Sequence, residues 1–144
     1  MSYAREMIDA APYATGLDAG DLAAAIDSCG DCVQTCTACA AADVAEDDVK
    51  EMRRCIGLCS DCADVCAATV RVLSRDLRYD PPMVQRLLQA CVRACASCAE
   101  ECAKHAPHHR HCAICLEACR ACEQACRTLL DAEALEELKT LAGG

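Results

Sequence analysis

Seventeen cysteines punctuate this chain of 144 residues. They fall in four runs: Cys29, Cys32, Cys36 and Cys39; Cys55, Cys59, Cys62 and Cys66; Cys91, Cys95, Cys98 and Cys102; and Cys112, Cys115, Cys119, Cys122 and Cys126. Within each run, steps of three and four residues alternate. At about 3.6 residues per helical turn, such a set stays inside an arc of roughly 80°. A strand would throw alternate cysteines to opposite faces, and a disulfide scaffold would scatter them through loops. Each run is therefore expected to be one thiol stripe on one helix. Thiols gathered this way bind soft metal ions, hold clusters or exchange disulfides.

Charge helps to choose among the metals. A Cu(I) that replaces a thiol proton leaves the pair neutral, whereas a tetrathiolate Zn(II) site keeps excess negative charge that is costly to bury. Cu(I) also accepts fewer sulfur ligands, so cysteines one turn apart suffice. Structural zinc wants a closed tetrahedral set, and Fe–S clusters need room for their inorganic core. One cysteine on an apolar helix face reads as core packing. The full set in register does not, because Leu and Ala fill cores better and resist oxidation. Multiple Cu(I) ions, with every cysteine a ligand, are the expectation.

The same register distinguishes the two ends of the stripes. At one end it runs through Leu22, Ile26, Thr69, Leu73, Val84, Leu88 and Leu129, an apolar plug. At the other it reaches Asp43, Met52, His105 and His108, with His109 and His111 beside it. Thioether and imidazole suit soft or borderline ions, so this end reads as a mouth through which metal loads. His105 and His108 fit the register best and His109 less well; His111 adjoins Cys112. The competing reading of the histidines is a solvated loop cluster, of Met52 core filler, and of Asp43 a helix-end residue. Asp61, next to Cys62, is a further candidate for orienting a histidine or a copper ion.

The elements that must carry these stripes are legible around them. Four helices are expected over about Asp18–Ala42, Asp47–Leu77, Pro81–His105 and Pro107–Leu130. Asp80-Pro81 is an N-cap followed by proline at the first helical position, and Pro107 is read the same way. The connections are short, so neighbouring helices run antiparallel. A short helix is expected over Tyr3–Ala11. The tail after Asp131 reads as a separate short helix, 132–141, and both terminal pieces should pack outside the bundle. The fold class is thus all-α: a single domain over 1–144, an up-down-up-down four-helix bundle (about 18–130) with short flanking helices.

Composition limits the function. The core has no Phe or Trp, and the net charge of −9 argues against a nucleic-acid partner. Met1–Ala10 has no basic segment followed by an apolar run, and no stretch is apolar enough for a membrane span. A cytosolic location is expected, where thiols stay reduced and dense cysteine patterns read as metal sites.

With these motifs in hand, CxxCxxxCxxC, then CxxxCxxCxxxC twice, then CxxCxxxCxxCxxxC, and the turn KHAPHHRHC, the chain resembles the bacterial copper storage proteins of the cytosolic branch. The resemblance spans roughly Asp18 to Leu130. It implies a four-helix bundle assembled as a homotetramer, many Cu(I) ions per protomer, and loading through the histidine-bearing mouth by free or chaperone-delivered Cu(I). The function expected is Cu(I) storage or detoxification without catalytic turnover. A thiol-disulfide redox protein, or a Zn or Fe–S protein, stands as the alternative.

Overall fold

The computed structural model describes residues 2–143. It comprises α1 (Tyr3–Ala10), α2 (Ala19–Ala45), a 3-10 turn (Val49–Met52), α3 (Arg53–Ser74), α4 (Pro81–His105) and α5 (Arg110–Gly143). No strand occurs among the described residues. Helix starts are set by local chemistry: Asp18 accepts from the Asp21 N–H at 3.0 Å, and Asp80 from the Met83 N–H at 3.3 Å, each occupying an otherwise orphaned donor. Proline opens α4 as expected.

α2 packs on α3 and α5, and α4 packs on α3 and α5, giving a square bundle. Cross-helix sulfur contacts fix the directions. Cys29 meets Cys126 while Cys39 meets Cys112, so α2 and α5 are antiparallel. Cys55 meets Cys102 while Cys66 meets Cys91, so α3 and α4 are too. Leu22, Leu73, Val84, Leu88 and Leu129 are buried at the plugged end, with Ile26 half-buried. Burial of each such leucine contributes about 1.5–3 kcal/mol. Thr69 is also buried there, and its hydroxyl is satisfied by donating to the Val65 carbonyl at 2.8 Å.

Three boundaries depart from expectation. The second cysteine helix starts at Arg53, because the 3-10 turn before it drops Met52 into the core, fully buried. It stops at Ser74, where the Asp76 side chain accepts from the Arg78 N–H at 2.9 Å and Arg78 adopts a positive φ of 62°. Pro107 is not a first helical residue. The His108 and His109 N–H groups donate to the His105 carbonyl at 3.0 and 2.9 Å, closing a turn around Pro107, and α5 begins only at Arg110. The C-terminal tail is a correction of another kind: it is no separate helix but the continuation of α5. Its first turn belongs to the bundle, since Glu133 is buried and bonded to Arg78. Leu135, Leu138 and Leu141 beyond it are exposed. α1 packs against α2, outside the four-helix core.

Candidate metal centre

All seventeen cysteines are free thiols, and all are buried. The alternating spacing delivers them to the shared axis, where their sulfurs form one column. From the plugged end, Cys126 lies 3.6 Å from Cys29 and Cys91 lies 3.8 Å from Cys66. Cys66 touches Cys95 at 3.7 Å, Cys95 touches Cys62 at 3.8 Å, and Cys62 touches Cys32 at 3.6 Å. Cys119 sits 3.6 Å from Cys36, which is also 3.6 Å from Cys115. Cys98 is 3.5 Å from Cys59, and Cys102 is 3.9 Å from Cys55. Cys122 is 3.5 Å from Cys29, and Cys39 is 3.8 Å from Cys112 nearest the mouth.

Overlapping quartets run along this column. Cys29/Cys66/Cys91/Cys122, Cys32/Cys66/Cys95/Cys122, Cys32/Cys36/Cys62/Cys119, Cys36/Cys98/Cys115/Cys119 and Cys39/Cys59/Cys102/Cys115 each hold their sulfurs within 4.8 Å of one another. A first-row ion bound about 2.3 Å from each thiolate would keep three sulfurs about 4.0 Å apart, or four about 3.8 Å apart. The thiols already stand at that separation, so metal needs little rearrangement. Consecutive quartets share members, which suits bridging thiolates better than isolated sites. Among the described residues no Lys or Arg is buried, so the column has no internal cation to offset excess thiolate charge.

The mouth is built by the α2 C-terminus, the 3-10 turn and the α4–α5 turn. Asp43 is fully buried, with Oδ1 accepting from Cys112 Sγ at 3.7 Å. Its Oδ2 has no partner. Burial, reinforced by Cys55, pushes the Asp43 carboxyl up to about 8. A buried carboxylate oxygen without a donor, set among thiols, fits a bound cation. Burial likewise pushes the Cys112 thiol up, with the neighbouring Cys55 and Asp43 charges adding to it. His111 is the imidazole that reaches the sulfur: its Nδ1 lies 3.3 Å from Cys39 and 3.6 Å from Cys112. Met52 is buried in the same core.

The remaining candidates lie apart. His105 turns to Glu101, with Nε2 2.8 Å from Oε2. Glu101 also receives Arg54 and Lys104, each at 3.2 Å. Burial works to raise the Glu101 carboxyl, but His105 and Lys104 outweigh it and leave it below the ordinary value. His108 is exposed, and so is Asp61, which faces solvent beside the buried Cys62. The structure thus brings Asp43, Met52 and His111 to the thiols and does not bring His105, His108 or Asp61. Glu46 and Asp48, which sequence reasoning passed over, bond to the histidine turn from the far side of the mouth. Glu101 was also missed, although its place four residues before His105 is a legible helical pair.

Residues 18–131 match the model of the family described as copper storage protein. The copper storage protein Ccsp from Streptomyces lividans, in a structure loaded with 10 copper equivalents, is 46% identical with a TM-score of 0.86, covering 89% of this chain and 98% of that one. A second structure, of copper loading to a cytosolic copper storage protein from Streptomyces lividans with five coppers, is 50% identical with a TM-score of 0.76, over 78% of this chain and 93% of that one. The uncharacterized cysteine-rich protein YhjQ of Bacillus subtilis (strain 168) is 33% identical over 106 residues, 74% of this chain and 93% of the relative.

Proposed function

The chain belongs to the copper storage protein family, and we propose that it stores Cu(I) in the cytosol, many ions per chain, in one bundle domain with no catalytic turnover. The observation that carries this reading is the unbroken column of buried thiols. Each Cu(I) displaces a thiol proton and leaves a neutral pair, so the column can fill without accumulating charge in a low-dielectric core. Zinc filling the same column would leave uncompensated negative charge. A thiol-disulfide enzyme needs an accessible, low-pKa cysteine, and no cysteine here is exposed.

Loading begins at the mouth. Met52 and His111 offer soft and borderline donors, Asp43 offers a buried carboxyl whose proton an incoming ion can displace, and Cys39 and Cys112 receive the ion. His111 stands in reach of both thiols, which supports transfer from imidazole to sulfur. His105 and His108 contribute at most to the outer approach. Delivery by a copper chaperone and assembly as a homotetramer belong to the same proposal, supported by the family resemblance.

Anaerobic titration of the reduced protein with Cu(I), against a chelator of known affinity, tests it. Saturation is expected on the order of one Cu(I) per thiol. Saturation at one or two ions per chain would refute storage. Elemental analysis of protein isolated from a copper-fed cytosol separates copper from zinc and iron.

A further inference from the structure

Outside the thiol column, a second constellation sits on the lip of the mouth. Glu46 ends α2, and its two carboxylate oxygens face two imidazoles from the α4–α5 turn: Oε2 is 3.1 Å from His109 Nδ1, and Oε1 is 3.3 Å from His111 Nε2. The two rings lie 5.5 Å apart, tilted by 31°. The far nitrogen of His109 is held by Asp48, with Nε2 3.0 Å from Oδ2. The side chains of Glu46 and Asp48 are 32% and 45% exposed, so a hydrated ion can reach them.

We propose that Glu46, His109 and His111 form a site for a borderline divalent cation of the Zn(II) type, and that its occupation restrains Cu(I) loading. An ion bonded at about 2.0–2.2 Å to N and O donors holds them about 2.8–3.6 Å apart between square and tetrahedral angles. Glu46 presents a different oxygen to each ring, and both separations, 3.1 and 3.3 Å, fall in that range, as a chelating carboxylate requires. The donor set is two imidazoles and a carboxylate, which suits borderline divalent ions and contains no sulfur to favour Cu(I). Asp48 supplies the outer carboxylate that fixes ring orientation and tautomer in such sites.

His111 links this site to the column. Its Nε2 faces outward to Glu46, and its Nδ1 faces inward to Cys39 at 3.3 Å. A neutral imidazole bonded to metal through Nε2 carries its proton on Nδ1. That nitrogen then donates to sulfur and cannot accept Cu(I). An ion on the lip therefore takes the inward ligand out of use without touching the thiols. The restraint on loading rests on the storage reading; the cation site itself does not.

The test uses the whole chain, loaded with Cu(I) so that the thiols are occupied, and titrated with Zn(II) under anaerobic conditions against a chromogenic chelator. One Zn(II) per chain is expected, lost in His109→Ala and weakened at least tenfold in Glu46→Gln. Co(II) as a spectroscopic probe should give visible ligand-field bands without a sulfur-to-cobalt charge-transfer band. In stopped-flow loading of the metal-free protein, one equivalent of Zn(II) should slow Cu(I) uptake several-fold, and not in His109→Ala. No Zn(II) binding, binding unchanged in both variants, or a sulfur charge-transfer band would overturn the site. Equal slowing in both proteins would overturn the restraint, because it puts the zinc on the thiols. Cu(I) capacity measured in the same samples judges storage separately: a shortfall there refutes storage and leaves the Co(II) comparison between the two proteins to decide the site.

Discussion

Asp43 is an acid buried completely at the mouth of the column. Its carboxyl rises from 3.8 to about 8, mainly by burial. In the metal-free fold it therefore holds a proton that the unfolded chain would release above pH 4 or so. The sign follows directly: a raised acid stabilises least where it must ionise, so stability falls as pH climbs from about 4 to about 8 and levels off beyond. The slope is at most about 1.4 kcal/mol per pH unit for this one group. Asp43→Asn removes it. In denaturant melts of the reduced metal-free protein, the variant should gain on the wild type between pH 5 and pH 8. Parallel stability curves would show that Asp43 is not buried as an acid. The place of Asp43 at the mouth was legible because helical register carries four residues on from Cys39. The choice between His108 and His111 was not. Register extended past His105 assumes an unbroken helix, but the chain turns through Ala106–His109, rotating His108 to solvent and His111 inward. The bonds from Glu46 and Asp48 join positions more than sixty residues apart, and no local pattern encodes them.

At the scale of elements, the closed end is held by a clamp that reaches across the bundle. Arg78, in the α3–α4 turn, donates to both oxygens of Glu133 on α5, through Nη2 at 2.6 Å and through Nη1, and to Asp76 at 2.8 Å. Both acids are almost fully buried. Glu133 and Asp76 keep Arg78 protonated, raising its pKa above the ordinary guanidinium value despite burial. Removing the cation would leave two buried carboxylates unpaired, so Arg78→Ala should cost about 3 kcal/mol. Arg78→Lys should recover part of that, because charge survives while the bidentate fork is lost. Thermal unfolding of the metal-free proteins measures both, and an Arg78→Ala variant that melts with the wild type would show that the clamp adds no stability. The same clamp explains the misplaced end of the fourth cysteine helix. The α4 start was read correctly because Asp80 and Pro81 are local signals. Nothing between Leu130 and Glu133 stops a helix, and the Arg78 contact that keeps this turn in the bundle lies 55 residues away. Four cysteine helices were legible from spacing, their antiparallel order from the short connections, and α4 at both its ends, whereas the extent of α5 depended on a contact made after folding.

For the whole molecule, the decisive quantity is charge. The chain carries a formal net charge of −9, and its buried column contains no Lys or Arg among the described residues. Exchange of Cu(I) for a thiol proton moves one positive charge in and one out. A protein filling with Cu(I) by this exchange keeps its net charge however many ions it takes up, and the interior stays neutral at every stage of loading. Filling with tetrathiolate Zn(II) would expel more protons than the charge the metal brings, and each ion would make the molecule more negative. The two cargoes are thus separable by mobility. In anaerobic native electrophoresis near pH 7, partially and fully Cu(I)-loaded protein should migrate with the metal-free form, while a pH-stat records one proton released per Cu(I) bound. Loading should also raise the melting temperature, because ions bound only by the folded column stabilise it by mass action. A stepwise cathodic shift with each Cu(I), with uptake that releases no proton, would mean that the thiols enter the fold already ionised. The neutral-core reason for choosing copper would then fail, even if capacity were high.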